Sequence, residues 1–270
     1  MRFDEMMDLA EHGPDTFVGT GPEYPWGGLF GGQIVAQSLR AAALTVDPAY
    51  RVHSLHAYFI RKGDSSEPTR FEVDRLRNGR SYVTRAVVAR QPAGAIFNLA
   101  ASFQIARDNE SGESGQIQTA RFPDVPPPEG IADESWSKLF ERRWISDRDG
   151  RVQAWLRVPD TANGAADPVL ASCALAFLSD DLATDAVRSQ RQGAEGGTLE
   201  AGWRWQGISL DHAIWFQGPL VAGDWQLYDF RCDGLSPPRG LSMGHVFGRD
   251  GTHLATVTQE VLLRPSRERD

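Results

Sequence analysis

A chain of 270 residues, 41% hydrophobic and 24% charged, is long enough for one large domain or two of about 130 residues. Its net charge of -8 argues against a general nucleic-acid surface, because phosphate binding needs a concentrated basic footprint. No stretch approaches the roughly 18 apolar residues of a membrane span, the N-terminus MRFDEMMDLAEHG carries acids where a secretion signal carries basic residues, and Cys173 and Cys232 form neither a disulfide framework nor a metal-ligand spacing. These features point to a cytoplasmic protein with reduced thiols.

In chain order, the first predicted element is a small-residue helix over 31–43, GGQIVAQSLRAAA, in which Val35, Leu39 and Ala42 fall on one apolar face. Strand-like segments follow in HSLHAYFIRKGD, in FEVDRLRNGRSYVTRAVVAR with its turn at 77–79, and in AIFNLAASFQ. From 107 to 134 the chain is polar and rich in Gly and Pro without apolar periodicity, which reads as a linker. A second helix, Asp167 to Leu178, is apolar nearly all round, and the stretches ISLDHAIWFQGP, WQLYDFRCDGLSPPRGLSMGHVFGRDG and HLATVTQEVLL then repeat the order of the first half. The spacing supports a duplication: 48 residues separate His56 from Gln104, and 47 separate His212 from Gln259. The expected organisation is therefore α+β, with halves at 1–106 and 135–270, a linker at 107–134, and in each half an antiparallel sheet wrapping a helix.

Several residues invite a chemical reading. Asp180 and Asp181 follow the last apolar turn of the second helix, where the helix dipole disfavours a carboxylate, so a buried partner or a functional role should justify them. Gln259 shares a strand face with Ala255, Val257, Val261 and Leu263, which makes it a buried amide in need of partners. Strand alternation puts Ser209 and Asp211 on one side and His212 on the other, which ranks Asp211 as a lesser candidate and His212 as a packing or hydrogen-bonding residue. The sequence GLSMG at 240–244 fits the pattern of a nucleophile elbow, yet Leu241, Met243, His245 and Phe247 alternate as a strand with no helix after it, so Ser242 is rejected as a nucleophile. His53 and His56 lack further metal ligands, and no dinucleotide or P-loop motif occurs. Neither a metal nor a cofactor is expected.

Taken together, GGQIVAQSL, RVHSLHAYFIRKGDSSEP, ASFQ, SLDHAIWF and TQEVLLR resemble the acyl-CoA thioesterase II family, from about Gly28 to Arg264 and except in the linker and in GAEGGTLEAGW. The resemblance implies a double hot-dog fold, two long helices each wrapped by an antiparallel sheet. It also implies a hydrolase of fatty acid metabolism that cleaves acyl-CoA thioesters with a water positioned by an Asp, a Thr or Ser, and a Gln. Those positions look like Asp180, Ser209 and Gln259, with Asp181 the other aspartate that could align with the family's acid. The developing oxyanion then falls to backbone N–H groups at Gly31, Gly32 and Gln33. Arg61 and Lys62 are candidates for the CoA phosphates or for a solvated loop. Trp203 and Trp205, ahead of Ser209, are candidates for reshaping an acyl pocket. Ser54 and Gln104 echo the site in the first half without an acid other than Asp47, which implies one active site per chain.

The alternative from a different class is a non-catalytic acyl-CoA-binding hot-dog protein. A hot-dog hydratase fits poorly, because Asp47 and His53 have five residues between them where four are wanted. A serine esterase would be revealed by an active-serine reagent. Long antiparallel edges leave homo-oligomerisation open.

Overall fold

The computed structural model describes residues 1–106, 117–159, 167–194 and 197–267. After a one-turn helix α1 (Phe3–Met6) come short strands β1 (Ala10–Glu11) and β2 (Thr16–Gly19), then helix α2 (Gly31–Leu44) and strands β3 (Tyr50–Phe59), β4 (Thr69–Asn78), β5 (Tyr82–Gln91) and β6 (Gly94–Ile105). The later part has β7 (Glu141–Arg148), β8 (Arg151–Arg157), helices α3 (Pro168–Leu178) and α4 (Ala183–Gly193), and strands β9 (Trp203–Ser209), β10 (Asp211–Phe216), β11 (Gln226–Ser236), β12 (Arg239–Gly248) and β13 (His253–Arg267). The strands form one antiparallel sheet in the order β1-β2-β4-β5-β6-β3-β10-β13-β12-β11-β8-β7, with β9 also paired to β13. The predicted helices and the turn at 77–79 fall where the sequence pattern placed them, and Ser242 lies buried within β12.

The seam of the sheet is the β3–β10 pair, where His56 faces Ala213 and Ala57 faces His212. Helix α2 packs on β3 to β6, α3 lies against α2, and α4 packs on β9, β11, β12 and β13. The second helix ends at Leu178, as expected. After a break at Ser179–Leu182 the chain resumes as α4, whose Ala183, Ala186 and Val187 are buried at i, i+3 and i+4. That spacing lies within DLATDAVRSQRQ. The break delivers Asp180 and Asp181 to the inside of the molecule.

Two contacts set how α2 and α3 cross, running antiparallel. At one end Arg40 pairs with Asp167 at 3.0 Å, while Asp167 also caps α3 by accepting from the Val169 and Leu170 N–H groups. At the other end Gly32 meets the last turn of α3 so closely that a Cβ there would lie 2.0 Å from the Phe177 carbonyl oxygen. Backbone cannot yield as a flexible side chain can, so Gly32→Ala is expected to lower stability by about 1–3 kcal/mol, read as a shift of the urea midpoint.

Of the 107–134 segment, residues 107–116 lie outside the described residues. The remainder lies along the sheet of the later part: Gln118 bonds the Gly251 carbonyl and the His253 N–H, Phe122 packs on Trp155 and Phe247, and the Trp155 indole N–H donates to the Pro126 carbonyl at 2.9 Å.

Candidate active site

Asp180 is the first residue after the α3 cap and is 7% exposed. Its own helix turns partial negative charge on it, yet the N-terminus of α2 points at it from the neighbouring helix. The α2 N-cap is Phe30, which has no side-chain oxygen to offer the first-turn N–H groups. The Asp180 carboxylate takes that place from another element, with the Gly32 N–H facing it. Glycine at position 31 makes this approach possible, since a Cβ there would fall 2.4 Å from Asp180 Oδ2.

The other carboxylate oxygen, Oδ1, accepts from the Ser209 hydroxyl at 3.1 Å. The Gln259 amide nitrogen donates to Ser209 Oγ at 2.8 Å. The three residues singled out in the sequence, from a helix break and two strands, therefore converge within hydrogen-bonding distance. Burial is the largest influence on Asp180 and raises its pKa to about 7; the Gln259 and Ser209 hydrogen bonds and the Gly32 N–H oppose it, and Asp181 adds to it.

Asp181 has different company. Its carboxylate accepts from the Trp136 indole N–H at 2.6 Å and from Arg142 at 3.2 Å, with its side chain 3% exposed. Burial raises its pKa, and Arg142 and Trp136 counter the rise. Trp136 belongs to an aromatic cluster with Tyr24, Trp26, Phe30 and Phe140 beside the start of α2.

One expectation is overturned. Ser209 and His212 do not face opposite ways: His212 Nδ1 lies 2.5 Å from Gln259 Oε1, on the same side as Ser209. Ser209 pairs with Val261 and Ala213 with Thr258, so four residues of one strand span three of the other. This bulge at Leu210–Asp211 shifts the alternation by one. It also removes Asp211 from the site, because its carboxylate accepts from the Glu260 N–H at 2.6 Å. His212 is fully buried, and burial lowers its pKa to about 4, so its ring is neutral at pH 7.

The first half does not repeat the arrangement. Thr45 Oγ1 at the end of α2 lies 2.8 Å from the Ala42 carbonyl as Ser179 Oγ at the end of α3 lies 2.9 Å from that of Ala176, but the next residue is Val46 where the second half has Asp180. Gln104 and His56 alternate with the inward-facing Phe103, Leu55 and Ala57, so neither points where Gln259 and His212 point. Of the groups at the start of α2, the Gln33 N–H is already bonded to the Phe30 carbonyl. Arg61 donates to the Ala93 carbonyl, and the Lys62 side chain lies over Gly28. Trp203 and Trp205 stand at the far end of β9, under the guanidinium groups of Arg267 and Arg191.

Known proteins share this chain's sequence and fold. Residues 21–104 match the model of the acyl-CoA thioesterase N-terminal domain, and 116–263 match that of the C-terminal domain. Acyl-coenzyme A thioesterase 8 of Rattus norvegicus is 32% identical over 87% of this chain and 80% of its own. The crystal structure of an acyl-CoA thioesterase II, TesB2, from Mycobacterium marinum is 33% identical, covers 99% of both chains and superposes with a TM-score of 0.81. A protein from Alicyclobacillus acidocaldarius described as having a hot-dog fold is 22% identical over 97% of both chains, with a TM-score of 0.79, a likeness of fold alone. With both family domains matched along most of its length, the chain belongs to the acyl-CoA thioesterase II family and is a thioester hydrolase.

Proposed function

We propose that this protein hydrolyses acyl-CoA to the free acid and CoA at a single site in a double hot-dog chain. Its halves are 1–106 and 135–270, joined through 107–134. Asp180 is the general base, and Ser209 and Gln259 fix the water. The observation that carries this reading is the convergence of Asp180, Ser209 and Gln259 around a buried carboxylate whose pKa is raised to about 7. A general base works best when its pKa lies near the operating pH.

The water oxygen attacks the thioester carbonyl carbon as Asp180 takes the water proton. The carbonyl oxygen gains negative charge at the start of α2, and the Gly31 N–H is the donor assigned to it in this reading. When the carbon–sulfur bond breaks, the protonated Asp180 returns its proton to the departing CoA sulfur, which leaves the carboxylate ready for another turn. Lys62, beside Gly28 at the approach to α2, is the cation offered to the CoA phosphates.

The test is free-thiol release from acyl-CoAs of increasing chain length, followed across pH. The base acts ionised, so kcat/KM is expected to fall about tenfold per pH unit below 7 and to level off above it. Tight binding of acyl-CoA with no thiol released would favour the binding-only alternative.

A further inference from the structure

The bulge that brings His212 beside Gln259 also completes a longer chain of contacts. We propose that His212 is a positioning residue: with its proton on Nδ1 it locks the Gln259 amide, so that a one-way series of donors runs from Ser179 through His212, Gln259 and Ser209 to Asp180. This inference rests on the site proposed above and assigns the part of it that sets direction.

The direction follows from which atoms can donate. Asp180 as a carboxylate only accepts, so the Ser209 proton goes to Oδ1, at 3.1 Å. Ser209 Oγ is then an acceptor, and the Gln259 group 2.8 Å away must be its NH2. That turns Gln259 Oε1 toward His212 Nδ1 at 2.5 Å. A carbonyl oxygen cannot donate, so Nδ1 carries the proton; a bare Nδ1 would set lone pair against lone pair. In a neutral ring Nε2 is then an acceptor, and the Ser179 hydroxyl, 2.8 Å from Nε2 and 2.9 Å from the Ala176 carbonyl, gives its single proton to the ring in this series and not to the carbonyl. Burial keeps the imidazole in this neutral form. Ser179 and Asp180 are neighbours in the chain, so the series begins and ends at the same helix break.

Without His212 the amide has no reason to keep this orientation. Turned over, its carbonyl oxygen would face Ser209, the Ser209 proton would be drawn away from Asp180, and the carboxylate would lose the donor that aims it. The effect falls on turnover rather than on acyl-CoA binding, because His212 is not required to touch acyl-CoA and acts only through the Gln259 and Ser209 that fix the water.

The experiment compares His212→Phe with His212→Asn, whose amide nitrogen stands near the place of Nδ1. The expected result is a kcat lowered about 10- to 100-fold in His212→Phe with KM little changed, and most of the loss recovered in His212→Asn. In the His212→Phe background, the further cost of Gln259→Ala should largely vanish, since the two changes disable one device. A folded His212→Phe with unaltered kcat, or a His212→Asn no better than His212→Phe, overturns the proposal. If neither variant folds, long-range proton–nitrogen NMR of the unaltered protein decides: the His212 ring, identified through its sequential backbone assignment, should be protonated on Nδ1, and protonation on Nε2 overturns it. These outcomes are separate from failure of the site itself, which is read from Asp180→Asn: full turnover there removes the base whatever His212 does.

Discussion

Asp180→Asn is expected to lower kcat for thiol release by about 10²- to 10⁴-fold, the usual contribution of a positioned general base. The asparagine keeps nearly the same shape and can still accept from Ser209, so the loss isolates the missing proton acceptor rather than a collapsed pocket. The adjacent residue supplies the control. Asp181 is held by Trp136 and Arg142 and not by Ser209 or Gln259, so Asp181→Asn should retain turnover in the protein that folds. Full activity in Asp180→Asn together with its loss in Asp181→Asn would transfer the role of base to the neighbour and leave the thioesterase reading in place.

The second large effect concerns stability. Arg142 is the cation paired with Asp181, with the two side chains 16% and 3% exposed. Removing the arginine leaves a carboxylate buried without its counter-charge, a change that costs about 3–5 kcal/mol. Arg142→Ala should therefore show a large drop in the urea midpoint at pH 8. The sign of its pH dependence follows from the raised pKa of Asp181. A carboxyl with a folded-state pKa above its unfolded value favours folding when protonated and opposes it as pH rises past the unfolded value, and losing Arg142 raises the folded pKa further. The deficit should grow from pH 4 to pH 8, and Asp181→Asn added to Arg142→Ala should recover much of it. A deficit independent of pH would mean that lost packing of the guanidinium over Trp144 outweighs the charge.

These cases show what was legible in the chain. The helix over 31–43, the helix ending at Leu178 and the inward face of Gln259 could be read because apolar periodicity reports which side is buried. The meeting of Asp180, Ser209 and Gln259 was expected from family likeness, since three residues spread over 80 positions carry no local pattern that joins them. The place of His212 could not be read. A one-residue bulge inverts every inference from alternation beyond it, and the sequence SLDH carries no glycine or proline to announce one. The duplication misled for the same reason: the matched spacing of His56 to Gln104 and His212 to Gln259 hides a difference in strand phase. Helix α4 was missed because its apolar stripe is narrow and its composition polar.

The close approach of Gly31 to Asp180 joins a helix before the seam to a carboxylate after it. In a pair of separate subunits such a meeting would depend on association, and dilution would empty the site. Here both contributors travel on one polypeptide, so the effective concentration of each for the other is set by the fold and not by the amount of protein. The two helix ends are thereby released from having to be alike: one copy of the corner can keep Val46 while the other specialises around Asp180, a division that identical subunits encoded by one sequence could not make.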